Sequence, residues 1–344
     1  MLVVRRTALH RRTIAAFVPR STSSALFHTA RRTCDSRLGK VDSSKADDII
    51  HDQFAVLRPD YAVPKNPIIL AHGLLGFEEL HLAGQNLPGI QYWYGITDAL
   101  AAKGVEVITA SVPPSGSIEK RAARLAECIE RKANGKAVNI IAHSMGYVQH
   151  GNATMLHTNH TTRGLDSRYM ISQLKPPNVK VLSLTTIATP HRGSAFADYL
   201  FRYLGITNIP KLYKALEWFG FETGAFEQLT QKYMAESFNP RTPDVEGIAY
   251  YSYGATLQPR ITSVFRKSHS IVEAAEGLND GLVSVASARW GTYKGTLDNV
   301  SHLDQINWTN KLRWYIWELT GHQKKFNAIA FYLDIADMLA KEKL

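Results

Sequence analysis

Four stretches of the chain are apolar almost without interruption: Ile68–Ala71, Val105–Ala110, Val138–Ala142 and Val179–Ile187. Short apolar runs bounded by turn residues read as strands buried on both faces, the pattern of a parallel sheet covered by helices. Ile248–Tyr253 has the same character. Between these runs the period lengthens, and Tyr92–Ala102 and Ser117–Arg131 place apolar residues at helical spacing. Ser117 suits a helix start, although Lys120 three residues on denies it a full capping box. Strand and helix in turn predict an α/β fold with a mostly parallel, doubly wound sheet.

The alternation stops between Ser194 and Gly247, where aromatic residues crowd together, among them Phe196, Tyr199, Phe201, Trp218 and Phe221. The segment holds more apolar side chains than one surface helix needs. Either it is a helical excursion covering the sheet, or it is a lid with an apolar underside over a lipid-binding cleft. The lid is the sharper expectation, since a cleft for acyl chains must be apolar and yet hidden from water.

Composition sets limits on the function. The 344 residues carry a formal net charge of +10, but residues 1–34 hold seven Arg and no acid, so only +3 belongs to the rest. The basic character is that of a tail and gives no reason to expect a nucleic-acid partner. With eight Ser and Thr among them, residues 1–34 have the composition of a mitochondrial transit peptide; a basic arm touching anionic surfaces is the alternative. Residues 35–62 read as a linker and 63–344 as the folded domain. Two cysteines, Cys34 and Cys128, offer no disulfide framework. No uncharged apolar run approaches the ~18 residues of a membrane span.

Candidate chemistry begins at Val138-Asn-Ile-Ile-Ala-His-Ser-Met-Gly146. Ser144 follows an apolar strand and is flanked at two residues on each side by Ala142 and Gly146. This is the arrangement of a nucleophile elbow, with Ala in place of its first Gly. Such a match arises often by chance, so its context carries the weight. Upstream, Leu70-Ala-His-Gly-Leu-Leu-Gly76 ends another strand, and a His-Gly turn there can bring the Leu74 N–H beside that of Met145. Two converging donors would form an oxyanion hole. An activated Ser needs a base and an orienting acid, which follow in the order Ser, acid, His in this kind of fold. Asp280 in Asn279-Asp-Gly-Leu-Val283 and His302 in Ser301-His-Leu-Asp304 meet that order. His191, His269 and His322 are rivals for the base, and His191 precedes the acid.

Taken together, these stretches resemble the true lipases related to bacterial triacylglycerol lipases of the Pseudomonas and Burkholderia type. The resemblance is nearest to their fungal mitochondrial counterparts, the triacylglycerol lipase 2 group. Its carriers are His72-Gly-Leu-Leu-Gly-Phe77, Tyr92-Trp-Tyr-Gly-Ile96, Ala142-His-Ser-Met-Gly146, Thr186-Ile-Ala-Thr-Pro-His-Arg-Gly-Ser194, Ser252-Tyr-Gly-Ala-Thr256, Asn279-Asp-Gly-Leu-Val-Ser284 and His302-Leu-Asp304, in family order. It implies an α/β-hydrolase fold with a helical lid, Ser144 as nucleophile, Asp280 as acid, His302 as base, and Leu74 and Met145 as oxyanion donors. The implied activity is hydrolysis of acylglycerol esters at a lipid–water interface, with peripheral membrane contact and a mitochondrial location. The same triad serves a phospholipase or a general carboxylesterase, and an impaired site would leave a binding protein.

The sequence departs from the family pattern in two places. The bacterial relatives hold a calcium ion near the catalytic His loop. Asp304 matches one of its aspartates, but the region supplying the other is shortened between Pro259 and Asn279, where Glu273 or Glu276 would have to substitute. One carboxylate is a poor calcium site. No cofactor is required on this reading, and Asp304 otherwise orients the His loop.

The second departure is an insertion. The family continues Ser-Met-Gly-Gly-Leu-Asp-Ser-Arg-Tyr, but here Tyr147–Arg163 separates Gly146 from Gly164. These seventeen residues, rich in His, Thr and Asn, are poor helix formers where the fold requires a helix. At three nucleotides per codon they make 51, so the frame is kept. Tyr147-Val148 can encode a GTATGT donor, His157-Thr158-Asn159 a TACTAAC branch point and Arg163 a terminal AG. The segment therefore reads as a translated intron whose removal restores the family pattern.

Overall fold

In the computed structural model, the described residues are 48–71, 79–80, 90–110, 117–143, 163–205, 227–259, 261, 263–308 and 326–344. Leu74, Ser144, Met145, residues 1–47 and the insertion up to Thr162 lie outside them. The near-continuous apolar runs become strands: β2 (Ile68–Ala71) and β6 (Val138–His143) are buried on both faces, β7 (Val181–Ile187) is buried from Ser183 on, and the edge strand β5 (Val107–Ala110) is half-buried up to Ala110. With β1 (Ile49–Ile50), β8 (Ala249–Ala255) and β9 (Thr292–Leu297) they form a seven-stranded sheet in the order β1-β9-β8-β7-β6-β2-β5. Every pairing in it is parallel. A separate antiparallel pair joins β3 (Glu79–Leu80) to β4 (Ile90–Gln91).

The two-residue period of a strand divides the core. Leu70 and Ile141 face one side, where helices α1 (Ile96–Ala102) and α7 (Ala328–Lys341) bury Leu100, Phe331 and Leu339. Ile69 and Ile140 face the other, against Leu125 and Ile129 of α2 (Ile118–Ala133). Further helices include α3 (Arg163–Tyr169), α4 (Ala195–Gly205), α5 (Arg266–Glu276) and α6 (Val285–Ala288).

Several boundaries differ from the sequence reading. Helix α1 starts at Ile96 rather than Tyr92 because Gly95 turns the chain at φ 69°, leaving Tyr92 and Trp93 as buried side chains of the preceding turn. Ser117 caps α2, its side chain accepting from the Lys120 N–H at 3.5 Å. Strands β1 and β9 and helix α7 were not anticipated. After β6, the first described helix begins only at Arg163.

The chain leaves β2 for β5 on one side and then crosses to β6 on the other, which makes β2 and β6 the point where strand order reverses. In open α/β sheets the ligand crevice forms at the carboxyl ends of such strands. Ala71 and Ala142 stand opposite each other in register at that edge, just before His72 and His143.

Candidate active site

Asp280 sits in a turn at the carboxyl edge of the sheet, tied there by the Leu257 N–H donating to the Asn279 carbonyl at 2.8 Å. Gly281 makes the turn sharp. Its φ is 109°, and a Cβ on it would stand 2.7 Å from the Phe265 side chain. The turn aims two backbone amides at the acid, and Asp280 Oδ1 accepts from Leu282 N–H at 3.0 Å and Val283 N–H at 2.9 Å. The other oxygen, Oδ2, faces His302 Nδ1 at 2.6 Å and accepts from Gln305 Nε2 at 3.0 Å. The carboxylate is fully buried, with a donor at each of its four lone-pair positions. Such an acceptor holds the proton on Nδ1 and leaves His302 Nε2 with a lone pair, the tautomer a general base requires.

His302 lies beyond β9, and its N–H donates to the Asp280 carbonyl at 3.1 Å, so backbone as well as side chain joins the two loops. Its ring is 5.0 Å from that of His143, the last residue of β6 and the one immediately before Ser144. The described part of the site thus brings Asp280 and His302 together beside the strand end that leads into Ser144. His143 is itself buried, its Nδ1 2.7 Å from the Tyr92 hydroxyl. Burial, reinforced by the nearby charge of His302, pushes His143 well below the usual imidazole range. A neutral His143 adds no repulsive charge when His302 takes up a proton.

The rival histidines are occupied elsewhere. His191 is buried, with Nε2 2.9 Å from the Thr186 hydroxyl and its ring stacked 5.2 Å from Trp290. His269 is also buried, its Nδ1 3.6 Å from Glu273 on the same helix. His322 lies outside the described residues.

The described residues do not fit a calcium ion. Asp304 Oδ2 accepts from the Ser301 N–H at 3.1 Å, closing the turn that carries His302. Glu273 stands beside His269. Glu276 is buried among donors, accepting from Ala195 N–H at 2.6 Å, from Gln231 Nε2 at 2.9 Å and from the Ser284 hydroxyl. No group of three or more potential ligands assembles among the described residues.

Sequence reasoning missed Gln305 and Tyr92 as partners of the site. Gln305 stands one residue beyond the His-Leu-Asp stretch, but nothing in its neighbours marks it as a donor to an acid 25 positions earlier. Tyr92 was one carrier of the family resemblance, with no role attached to it. The segment 194–247 is described only at its ends, and those are packed: Phe196 lies against Phe265, while Leu229, Met234 and Phe238 join Ile118 and Leu165.

No family model matches the chain. Triacylglycerol lipase 2 of Saccharomyces cerevisiae is 38% identical over 350 aligned residues, covering 88% of this chain and 99% of that protein. A triacylglycerol lipase of Burkholderia plantarii is 34% identical over 153 residues, 42% of this chain and 35% of its own length. Among solved structures, a metagenomic carboxyl esterase superposes with a TM-score of 0.58 at 18% identity, covering 96% of this chain and 97% of its own. That last likeness is one of fold, and the fold is that of the α/β hydrolases.

Proposed function

Since this chain belongs to the triacylglycerol lipases, we propose that it hydrolyses acylglycerol esters through an acyl-enzyme on Ser144, with His302 as base and Asp280 as its orienting acid. The single observation that carries the mechanism is the buried Asp280–His302 pair lying against the residue that precedes Ser144. His302 Nε2 takes the Ser144 proton as Oγ attacks the ester carbonyl. The tetrahedral oxyanion is held by the N–H groups of Leu74 and Met145, and the proton passes to the departing alcohol. Water, activated by the same His302, then releases the fatty acid. Asp280 keeps its charge throughout and stabilises the imidazolium.

The substrate reading is an acylglycerol at a lipid–water interface, gated by the aromatic segment 194–247. No metal takes part in any step. Residues 1–34 are read as a mitochondrial transit peptide on their Arg-rich, acid-free composition.

A panel of emulsified triacylglycerol, phospholipid and a short soluble ester tests the substrate reading. A triacylglycerol lipase turns over the emulsion fastest, with a rise in rate as monomers give way to droplets. A preference for phospholipid or for the soluble ester would contradict it. A fusion of residues 1–40 to a fluorescent reporter tests the targeting, and a cytosolic reporter would contradict that part alone.

A further inference from the structure

The loop that follows β8 carries two of the most exposed large apolar side chains among the described residues, Ile261 at 81% and Val264 at 69%. Solvent offers no stabilisation for such side chains, although isolated ones are common. Phe265, next to Val264, is buried and packs directly on Gly281, the residue after Asp280. Leu257 at the other end of the loop is hydrogen-bonded to Asn279. Leu257 and Phe265 are therefore both fixed to the turn that bears Asp280, while Ile261 and Val264 between them stand exposed.

Charge identifies the partner. Arg266 and Lys267 follow at the first turn of α5, both exposed, and neither forms an ion pair among the described residues. Apolar side chains at the tip with a basic collar behind them match the boundary of an anionic bilayer, where the first enter the acyl region and the second meet the headgroups.

We propose that Ile261 and Val264, with Arg266 and Lys267 behind them, seat the protein on an anionic lipid bilayer and so present the Asp280–His302 edge of the sheet to it. The proposal deepens the lipolytic reading by naming the surface that contacts lipid, but lipid binding and ester hydrolysis are measured separately.

The test is co-sedimentation with vesicles of phosphatidylcholine, with and without phosphatidylglycerol, using the full chain. The wild type should bind the anionic vesicles preferentially. I261S/V264S should weaken binding to both kinds by about tenfold or more, and R266E/K267E should remove the preference for phosphatidylglycerol. Both variants should hydrolyse a soluble short-chain ester as the wild type does. V264W provides a readout that does not depend on loss of binding, since its emission should shift to the blue on adding anionic vesicles.

Unchanged binding by I261S/V264S, or no vesicle-induced shift in V264W, would overturn the proposal. A shift that depends on protein concentration and needs no lipid would assign the loop to a second copy of the chain and also overturn it. Vesicle binding without ester hydrolysis would leave the seat standing and remove the lipolytic mechanism instead.

Discussion

His302 Nδ1 lies 2.6 Å from Asp280 Oδ2, and the His302 backbone N–H also donates to the Asp280 carbonyl at 3.1 Å. One residue thus fixes the other's tautomer through its side chain and its loop through its backbone. Asp280→Asn should keep the fold, because Oδ1 still accepts from Leu282 and Val283. Its amide, however, offers a donor where an acceptor is required. We expect kcat to fall by about 10³–10⁴ with little change in melting temperature, as measured by steady-state hydrolysis of a soluble ester and by calorimetry. A loss below tenfold would contradict the role of Asp280.

Arg163 should be harmful where it stands. It is fully buried with Arg121, and both guanidinium groups address the single carboxylate of Asp166, Arg121 at 2.8 Å and Arg163 at 3.1 Å. Burial lowers Arg163 to about 10, with Asp166 opposing and Arg121 adding to the shift. Without Tyr147–Arg163, Asp166 would serve Arg121 alone and Gly146 would precede Gly164, whose backbone touches Thr189 so closely that a Cβ would lie 2.4 Å away. Deleting the seventeen residues should raise stability by roughly 1–4 kcal/mol, the scale on which removal of a buried ionic triad stabilises a fold, and raise activity with it. Equal or lower thermal stability of the shortened chain would contradict this, as would a mature transcript that retains all 51 nucleotides together with full activity of the 344-residue form.

Glu276 should make stability fall as pH rises through neutrality. Burial lifts its carboxyl to about 7, against the opposing hydrogen bonds from Ser284, Ala195 and Gln231; Asp198 nearby lifts it further and is itself lifted to about 6 by burial, opposed by the Gln231 N–H and Arg202. A carboxyl raised above its unfolded value binds more protons in the native state, so the protonated form stabilises below that point and the contribution is lost as pH climbs past 7. The span corresponds to at most about 3 kcal/mol. Glu276→Gln should flatten melting temperature against pH between about 5 and 8, leaving the variant the more stable of the two at pH 8. A variant that keeps the wild-type slope would place the titration elsewhere.

Chelation should leave activity intact. Two of the carboxylates weighed as calcium ligands are engaged with protein donors, Asp304 with Ser301 and Glu276 with Ala195, Gln231 and Ser284. Dialysis against a calcium chelator should change neither rate nor melting temperature. A loss restored by added calcium would show that the ion is bound after all.

What was legible in the sequence follows from how each element is buried. β2 and β6 are buried on both faces, so Ile-Ile-Leu-Ala and Val-Asn-Ile-Ile-Ala-His read as apolar runs. β9, Thr-Tyr-Lys-Gly-Thr-Leu, is exposed to half-buried over its first half and contains Lys and Gly, which hide a strand from any hydropathy pattern. Helix α7 buries most of its circumference, and its two acids meet Arg58 from far along the chain, at 2.5 Å to Asp334 and 3.0 Å to Asp337, a pairing no local pattern announces, while Lys341 one turn on shares Asp337 at 2.7 Å. In the site, Asp280 and His302 could be found by order and turn chemistry. Gln305 could not, since its importance comes from a contact across two loops. Glu276 was noticed for its charge, whereas the structure surrounds it with donors.

The most direct test of the account is covalent. A serine-directed phosphonate, followed by proteolysis and mass spectrometry, should label one peptide, the one containing Ser144. Labelling should vanish in Ser144→Ala and slow sharply in His302→Ala. Labelling of Ser144→Ala at wild-type rate, or a modified serine elsewhere in the chain, would contradict it.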